Sequence, residues 1–237
     1  MNPTPAVGRP TTMARISFVS ALSFIVLAIA AVPALADNGG DVSQLWSTDT
    51  YRCTKDQLGW IFMIARSYHS YGGIDPNGRQ NTINARAAGI LHTDVYHFPC
   101  FGKVSAQQQM EDDVSHTGRE NFGMLWFDIE TNVSPGCQWS ADKSRNCAFM
   151  GELIRAGQGL SLSMGIYSSE YMWASIMGDD CHVGADSSLP LWYAHYDHNP
   201  SFSDFRSFGG WTRPNVKQYW DSVGACGINA DADWYPN

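Results

Sequence analysis

The sequence predicts an α/β fold on a parallel sheet, a (β/α)-barrel that has lost some late helices, with an open doubly wound sheet as the alternative. Three observations carry that expectation. Short apolar runs recur, and more polar stretches with helical patterning separate several of them, which is the pitch of β/α units. The runs are nearly continuous in apolar residues, as strands covered on both faces are. Setting aside a targeting segment leaves 201 residues, the low end for such a barrel. No Gly-x-Gly-x-x-Gly follows a strand, which disfavours a dinucleotide-binding sheet.

The targeting segment comes first. Arg9 and Arg15 precede an apolar run of 17 residues from Ile16 to Val32, which ends in Pro33 and Ala34-Leu35-Ala36. A basic start, an apolar middle and an Ala-x-Ala end mark residues 1–36 as a secretory signal peptide cleaved after Ala36. The run is marginal for a membrane span, and it contains Ser17, Ser20 and Ser23. Residues 37–237 are expected to form one domain. The protein is expected to be a secreted, extracellular monomer, or one delivered through the secretory route to an acidic digestive compartment. No membrane contact is expected after cleavage.

Within that domain, Asp41-Val42-Ser43 stands where a first strand belongs. Further strands are expected at Trp60–Ala65, Gly89–Phe98, Gly123–Ile129, Ser163–Tyr167, Leu191–Ala194 and Val216–Trp220. Helical stretches lie at Asn81–Ala88 and at Ser105–His116, where Ser105 suits an N-cap. Another is Ala148–Ala156, with Phe149, Met150, Leu153 and Ile154 on one face and Gly157 as a stop. Tyr171–Met177 is a fourth. The last third carries strands but little helical pattern.

Charge and cysteine narrow the class. With 15 Lys and Arg against 23 Asp and Glu the formal charge is −8, and residues 37–237 alone, with 13 basic residues, carry −10. Nucleic acid is therefore not expected as a partner, since phosphate binding needs clustered cations. With 44% hydrophobic and 16% charged residues, the chain has enough apolar surface to bury a core. Cys53, Cys100, Cys137, Cys147, Cys181 and Cys226 are even in number in an exported chain and read as three disulfides. The near pair Cys137–Cys147 is the first expectation. The sequon Asn132-Val133-Ser134, if used, requires an exposed loop.

Chemistry gathers at strand ends. Leu125-Trp126-Phe127-Asp128-Ile129-Glu130 rises as an apolar run and ends in two carboxylates one residue apart. On a strand, such positions share a face. Asp128 and Glu130 would project together at the end of a barrel that holds active sites. Paired carboxylates in an apolar surround keep a proton, which a glycosidase uses to protonate a leaving oxygen. Asp41 on the first strand and Asp231 on the last could face the same pocket, because those strands are neighbours in a barrel. Asp233 reads as terminal solubility. Aromatic side chains suit stacking on sugar C–H faces as well as packing, with Tyr96 and Trp192 the first choices for a sugar and Phe98, Tyr167 and Tyr219 beside them. Arg66, ending an apolar strand, needs a carboxylate partner and is expected to orient a pocket acid. His97 and His195 read as hydrogen-bonded structural groups, and neither a metal nor a cofactor is expected.

Taken together and in order, Asp41-Val42-Ser43, Phe62 to Tyr68, Ala87-Ala88-Gly89-Ile90, Asp94 to Phe98, Trp126 to Glu130, Gly165 to Ser169, Pro190 to Ala194 and Val216 to Tyr219 resemble the glycoside hydrolase family 25 lysozymes, the Chalaropsis-type muramidases, in their secreted eukaryotic branch. The resemblance spans about residues 41–235. It implies an irregular, TIM-barrel-like fold of about five β/α units plus three further strands. It also implies hydrolysis of the β-1,4 bond between N-acetylmuramic acid and N-acetylglucosamine, with peptidoglycan glycan strands as the partner. Glu130 matches the family's proton donor and Asp128 its neighbouring carboxylate. Asp41 and Asp231 match the first- and last-strand acids, and Tyr96 a pocket tyrosine; Trp192 lies in a matching strand motif. A chitinase-like glycosidase on the same barrel and a silent wall-binding protein are the alternatives. The charge of −10 opposes approach to an anionic wall, so best activity is expected at acidic pH.

Overall fold

In a computed structural model that describes residues 1, 3, 4 and 37–236, the apolar runs close into a barrel. The elements follow as β1 (Asp37–Val42), α1 (Thr48–Leu58), β2 (Trp60–His69), β3 (Gly73–Ile74), α2 (Pro76–Ala88), β4 (His92–His97), α3 (Ala106–Thr117), β5 (Met124–Asp128), α4 (Lys143–Gly159), β6 (Ser163–Ser168), α5 (Glu170–Ile176), α6 (Val183–Asp186), β7 (Leu191–Ala194), β8 (Val216–Ala225) and β9 (Ile228–Tyr235). Around the ring the order is β1-β9-β8-β7-β6-β5-β4-β2, and β2 pairs back onto β1. That closing pair rules out the open doubly wound sheet. Five strands carry helices after them and three do not, as the irregular barrel requires. β9 runs antiparallel to both neighbours, so it alone enters the ring from the opposite end. The targeting signal expected over 1–36 lies outside the described residues, apart from 1, 3 and 4.

Local chemistry sets the element ends. The side chain of Ser105 accepts from Gln108 N at the start of α3, and α2 opens on Asp75, whose carboxylate accepts from Asn77 N just after Pro76. These caps satisfy helix-end amides that have no partner within the helix. Gly157, expected to stop a helix, lies inside α4, which runs on to Gly159. Its lack of a side chain serves packing instead: a Cβ there would fall 2.1 Å from Met164 Sδ.

Two apolar layers follow. Outside the barrel, Leu125, Phe127 and Ile166 pack with Met110, Met150, Leu153 and Trp173 of the helices. Inside it, Phe62, Ile64, Trp126, Tyr167, Trp192 and Val216 fill the lumen. The alternation along β5 therefore reads Trp126 and Asp128 inward, Phe127 outward. Ile129 N donates to Tyr167 O at 2.9 Å, carrying the ladder one residue past β5 and keeping Glu130 on the inner face.

The disulfides are Cys53–Cys226, Cys100–Cys137 and Cys147–Cys181. The expected Cys137–Cys147 pair does not form. Cys137 lies in the β5–α4 loop against the end of β4, whereas Cys147 sits on α4 and meets the segment after α5. The sequon, if used, would need an accessible asparagine, and the structure buries it. Asn132 is 4% exposed, its amide donates to Ser70 O at 2.8 Å and Pro99 O at 3.0 Å, and its oxygen accepts from Ser134 N at 2.8 Å. Peptide mass mapping of the expressed protein is expected to find Asn132 without a glycan; a glycopeptide at this site would contradict the buried Asn132 side chain.

On the outer face of β8, Lys217 is fully buried and donates to Asp197 at 2.8 Å, Asp204 at 2.8 Å and Ser201 O at 3.0 Å. Burial alone would raise Asp204, but hydrogen bonds from Lys217 and His195 outweigh it and hold that carboxyl at about 2. Removing the ammonium leaves two carboxylates facing one another. Lys217→Met is therefore expected to cost about 2–3 kcal/mol, below the range for fully buried pairs because the aspartates keep some water. That is a drop in Tm of roughly 4–12 °C for a domain of this size, and an unchanged Tm would refute it.

Candidate active site

Each inward position at the carboxyl end of the barrel carries a polar group or an aromatic ring. Asp41 on β1 stands directly opposite Asp231 on β9. Asp128, the last residue of β5, pairs with Tyr167 on β6, which pairs with Trp192 on β7. Glu130 follows Asp128 on the same face. Together with Tyr96, Tyr196 and Gln218 these residues line a cavity of about 120 Å³. Asp41, Asp128, Glu130, Asp231, Tyr96, Tyr167 and Trp192, all singled out in the sequence, thus come together.

Gln218 is the hub. Its Nε2 donates to Asp41 Oδ2 at 2.6 Å and to Asp231 Oδ2 at 3.2 Å. Its Oε1 accepts from the Tyr167 hydroxyl at 2.5 Å and the Tyr196 hydroxyl at 2.8 Å. One neutral amide thereby ties both terminal strands to β6 and to the loop after β7. Beneath it, Asp233 is fully buried and its Oδ1 accepts the Trp192 indole N–H at 2.8 Å.

Burial dominates the electrostatics, because removing water penalises a carboxylate more than a carboxylic acid. Asp41 is pushed up to about 8 by burial and then by the Asp231 charge, against the hydrogen bond from Gln218. Asp231 is raised to about 6 by burial and then by the charges of Asp221 and Glu130. Asp128 rises well above the usual carboxylate range through burial, then through Glu130 and Asp41, with Arg66 opposing. Glu130 is raised by burial, while the Tyr167 hydroxyl pulls it down. At mildly acidic pH such a cluster holds protons beside negative charge, which suits general acid chemistry at a bond entering the cavity.

Five residues differ from expectation. Arg66 donates from Nε to Asp75 at 2.8 Å and from Nη2 to Ser43 O at 2.9 Å, so its partner is the α2 cap and not a pocket acid; it reaches Asp128 only through space. Tyr219 lies outside the cavity lining, on the opposite face of β8 from Gln218, since adjacent strand residues point oppositely. Phe98 is half-buried just past β4 and also outside the lining. Trp192, 2% exposed and bonded to Asp233, forms the floor and offers no open face for stacking. Asp233, read as a solvated terminal residue, is buried under the pocket. Sequence reasoning passed over Gln218 and Tyr196. Strand parity offers a signal for Gln218, because Val216 packs in the lumen and position 218 shares its face.

His97 is buried, with Nδ1 2.8 Å from Asp113 and Nε2 3.2 Å from Gln109. His195, Asp197 and Asp204 bring three possible metal ligands within 4.8 Å. The Lys217 ammonium already binds both carboxylates and stands where a cation would.

Known proteins resemble this chain over most of its length. The family described as "Lys-1: Lysozyme-like protein 1" matches residues 33–219. "Probable GH family 25 lysozyme 2" of Dictyostelium discoideum is 42% identical over 203 residues, covering 85% of this chain and 92% of that protein. "Lysozyme-like protein 5" of Caenorhabditis elegans is 38% identical over 217 residues, 89% of this chain and 97% of its own. The solved bacterial lysozyme from Streptomyces coelicolor, 21% identical, shares the fold with a TM-score of 0.71 over 85% of this chain and 92% of that chain.

Proposed function

The chain belongs to the glycoside hydrolase family 25 lysozymes, and from that membership we propose that it hydrolyses the β-1,4 bond between N-acetylmuramic acid and N-acetylglucosamine in peptidoglycan, with Glu130 as general acid. The observation that carries this reading is the convergence of Asp41, Asp128, Glu130 and Asp231 on one cavity, every one of them with a raised pKa.

Glu130 gives its proton to the glycosidic oxygen as the bond to the anomeric carbon breaks, and then takes one from the incoming water. Asp128 sits deeper, and its buried Oδ1 has no hydrogen-bond partner among the described residues. A substrate acetamido N–H satisfies that oxygen and sets its own carbonyl toward the anomeric carbon. Asp41 and Asp231 supply negative charge to the oxocarbenium-like transition state in proportion to their ionisation. Tyr96 and Tyr196 bound the sugar at the rim.

The reading includes export through a signal peptide ending at Ala36, and action outside the cell or in an acidic compartment as a monomer. Three disulfides support export, and among the described residues no helix is long and apolar enough to cross a membrane. Incubation with purified peptidoglycan and, separately, chitin is the test. Soluble fragments from peptidoglycan alone are expected. Cleavage of chitin alone would transfer the assignment to a chitinase-like enzyme, and wall binding without cleavage of either would transfer it to a binding protein.

A further inference from the structure

A groove of about 470 Å³ lies at the carboxyl end of the barrel, outside the catalytic cavity, between the β4–α3 connection and α4. Phe101, Lys103, Arg145, Phe149 and Glu152 line it. The Cys100–Cys137 disulfide ties the β4–α3 connection to the loop that leads into α4, and Phe101 N donates to Cys137 O at 3.3 Å. Phe101 meets Phe149 edge-on at 5.3 Å between centroids, and the Arg145 guanidinium carbon stands 5.5 Å over the Phe101 ring. Among the described residues that guanidinium has no hydrogen bond or ion pair. Lys103 Nζ has one partner, Tyr71 O at 2.9 Å. Trp139 links the groove to the catalytic cavity: its indole N–H donates to Glu130 O at 2.7 Å, and its ring lies 6.3 Å from Phe101.

We propose that this groove is a subsite for the anionic peptide stem carried by the muramic acid, with Arg145 and Lys103 pairing its carboxylates; the proposal rests on the peptidoglycan reading above. The lactyl ether bearing the stem stands on the sugar whose glycosidic bond breaks, so the stem departs from beside Glu130. An extended peptide covers roughly 3.3–3.6 Å per residue, so three residues span roughly 10 Å, longer than the 6.3 Å between the Trp139 and Phe101 rings. The free carboxylates of the stem match an unpaired guanidinium, which binds them bidentately. Two cations against one acid in this lining run counter to a chain of charge −8, and they place attraction where the anionic wall must dock.

The test compares Lys103→Glu/Arg145→Glu with the unaltered protein on two substrates, intact peptidoglycan and the same wall with its stems removed by an amidase. Both residues are exposed, so the double variant should keep its fold; Arg145→Met serves if it does not. On intact wall the half-saturating substrate concentration is expected to rise about tenfold with little change in the maximal rate, and high salt should shrink the difference. On stripped glycan the variant should match the unaltered protein. Equal losses on both substrates, or no loss on intact wall, would overturn the proposal. Titration calorimetry with a free stem tetrapeptide separates the two readings. If the unaltered protein cleaves neither substrate, the peptidoglycan reading fails, while stem binding lost in the double variant still supports the groove and absent binding removes it.

Discussion

Glu130→Gln is expected to lower wall hydrolysis by about 10³-fold, within the range for loss of a general acid, while Tm stays within about 2 °C. Glutamine keeps the shape and an acceptor oxygen but has no proton to release. The side chain is only part-buried, and its backbone oxygen still holds the Trp139 indole, so the fold does not depend on the carboxyl. The same role sets the pH dependence. Glu130 must be protonated to act, burial raises its pKa above the ordinary 4.5, and activity is expected to decline as pH rises through that raised value. Near-normal clearing by the glutamine variant, or a rate optimum above about pH 8, would remove Glu130 from the role.

Asp41→Asn is expected to make the protein more heat-stable at pH 8. Asp41 is pushed up from 3.8 to about 8 in the fold. Between those values the folded chain holds a proton that the unfolded chain has released, so unfolding becomes easier as pH rises. The stability is fully present below about pH 4 and is lost progressively as pH rises to about 8. Asparagine removes that titration and keeps an oxygen to accept from Gln218 Nε2. A single unit of the shift is worth about 1.4 kcal/mol, roughly 3–6 °C at this size. The variant should therefore melt at least that much higher at pH 8, with the gap closing toward pH 4. A melting temperature equal to or below that of the unaltered protein at pH 8 would contradict the buried, protonated Asp41. The stability lost at neutral pH is the consequence of burying these acids together.

Much of the barrel is legible because β2 and β4 to β8 need apolar cover on both faces, and that demand is written as apolar runs. The ends of the ring are not written so. β1 reads Asp-Asn-Gly-Gly-Asp-Val, with almost no β-forming residue. Its glycines make room for rings: a Cβ on Gly40 would fall 2.0 Å from the Trp60 ring, and one on Gly39 would fall 2.5 Å from Phe62. β9 places Asp231 and Asp233 inward, so the positions that normally announce a strand by apolarity carry acids. α1 buries only Tyr51 and Thr54 and lacks an apolar stripe; the Ser47 cap and the tie from Cys53 to Cys226 hold it.

The site divides in the same way. Asp128 and Glu130 stand out because charge at the end of an apolar strand is conspicuous. Gln218 does not, since a neutral amide between a lysine and a tyrosine carries no visible sign of four hydrogen bonds. Tyr219 was the more conspicuous neighbour, and strand parity sends it the other way. Arg66 shows the limit of reasoning by charge. It does need a carboxylate, but the one that reaches it belongs to the first turn of α2.

The most direct test of the central assignment is the identity of the new chain ends. Peptidoglycan digested with the protein, reduced with borohydride and hydrolysed, should yield muramitol, showing that cleavage leaves the reducing end on muramic acid. Glucosaminitol without muramitol would contradict the account and assign the protein to glucosaminidase chemistry.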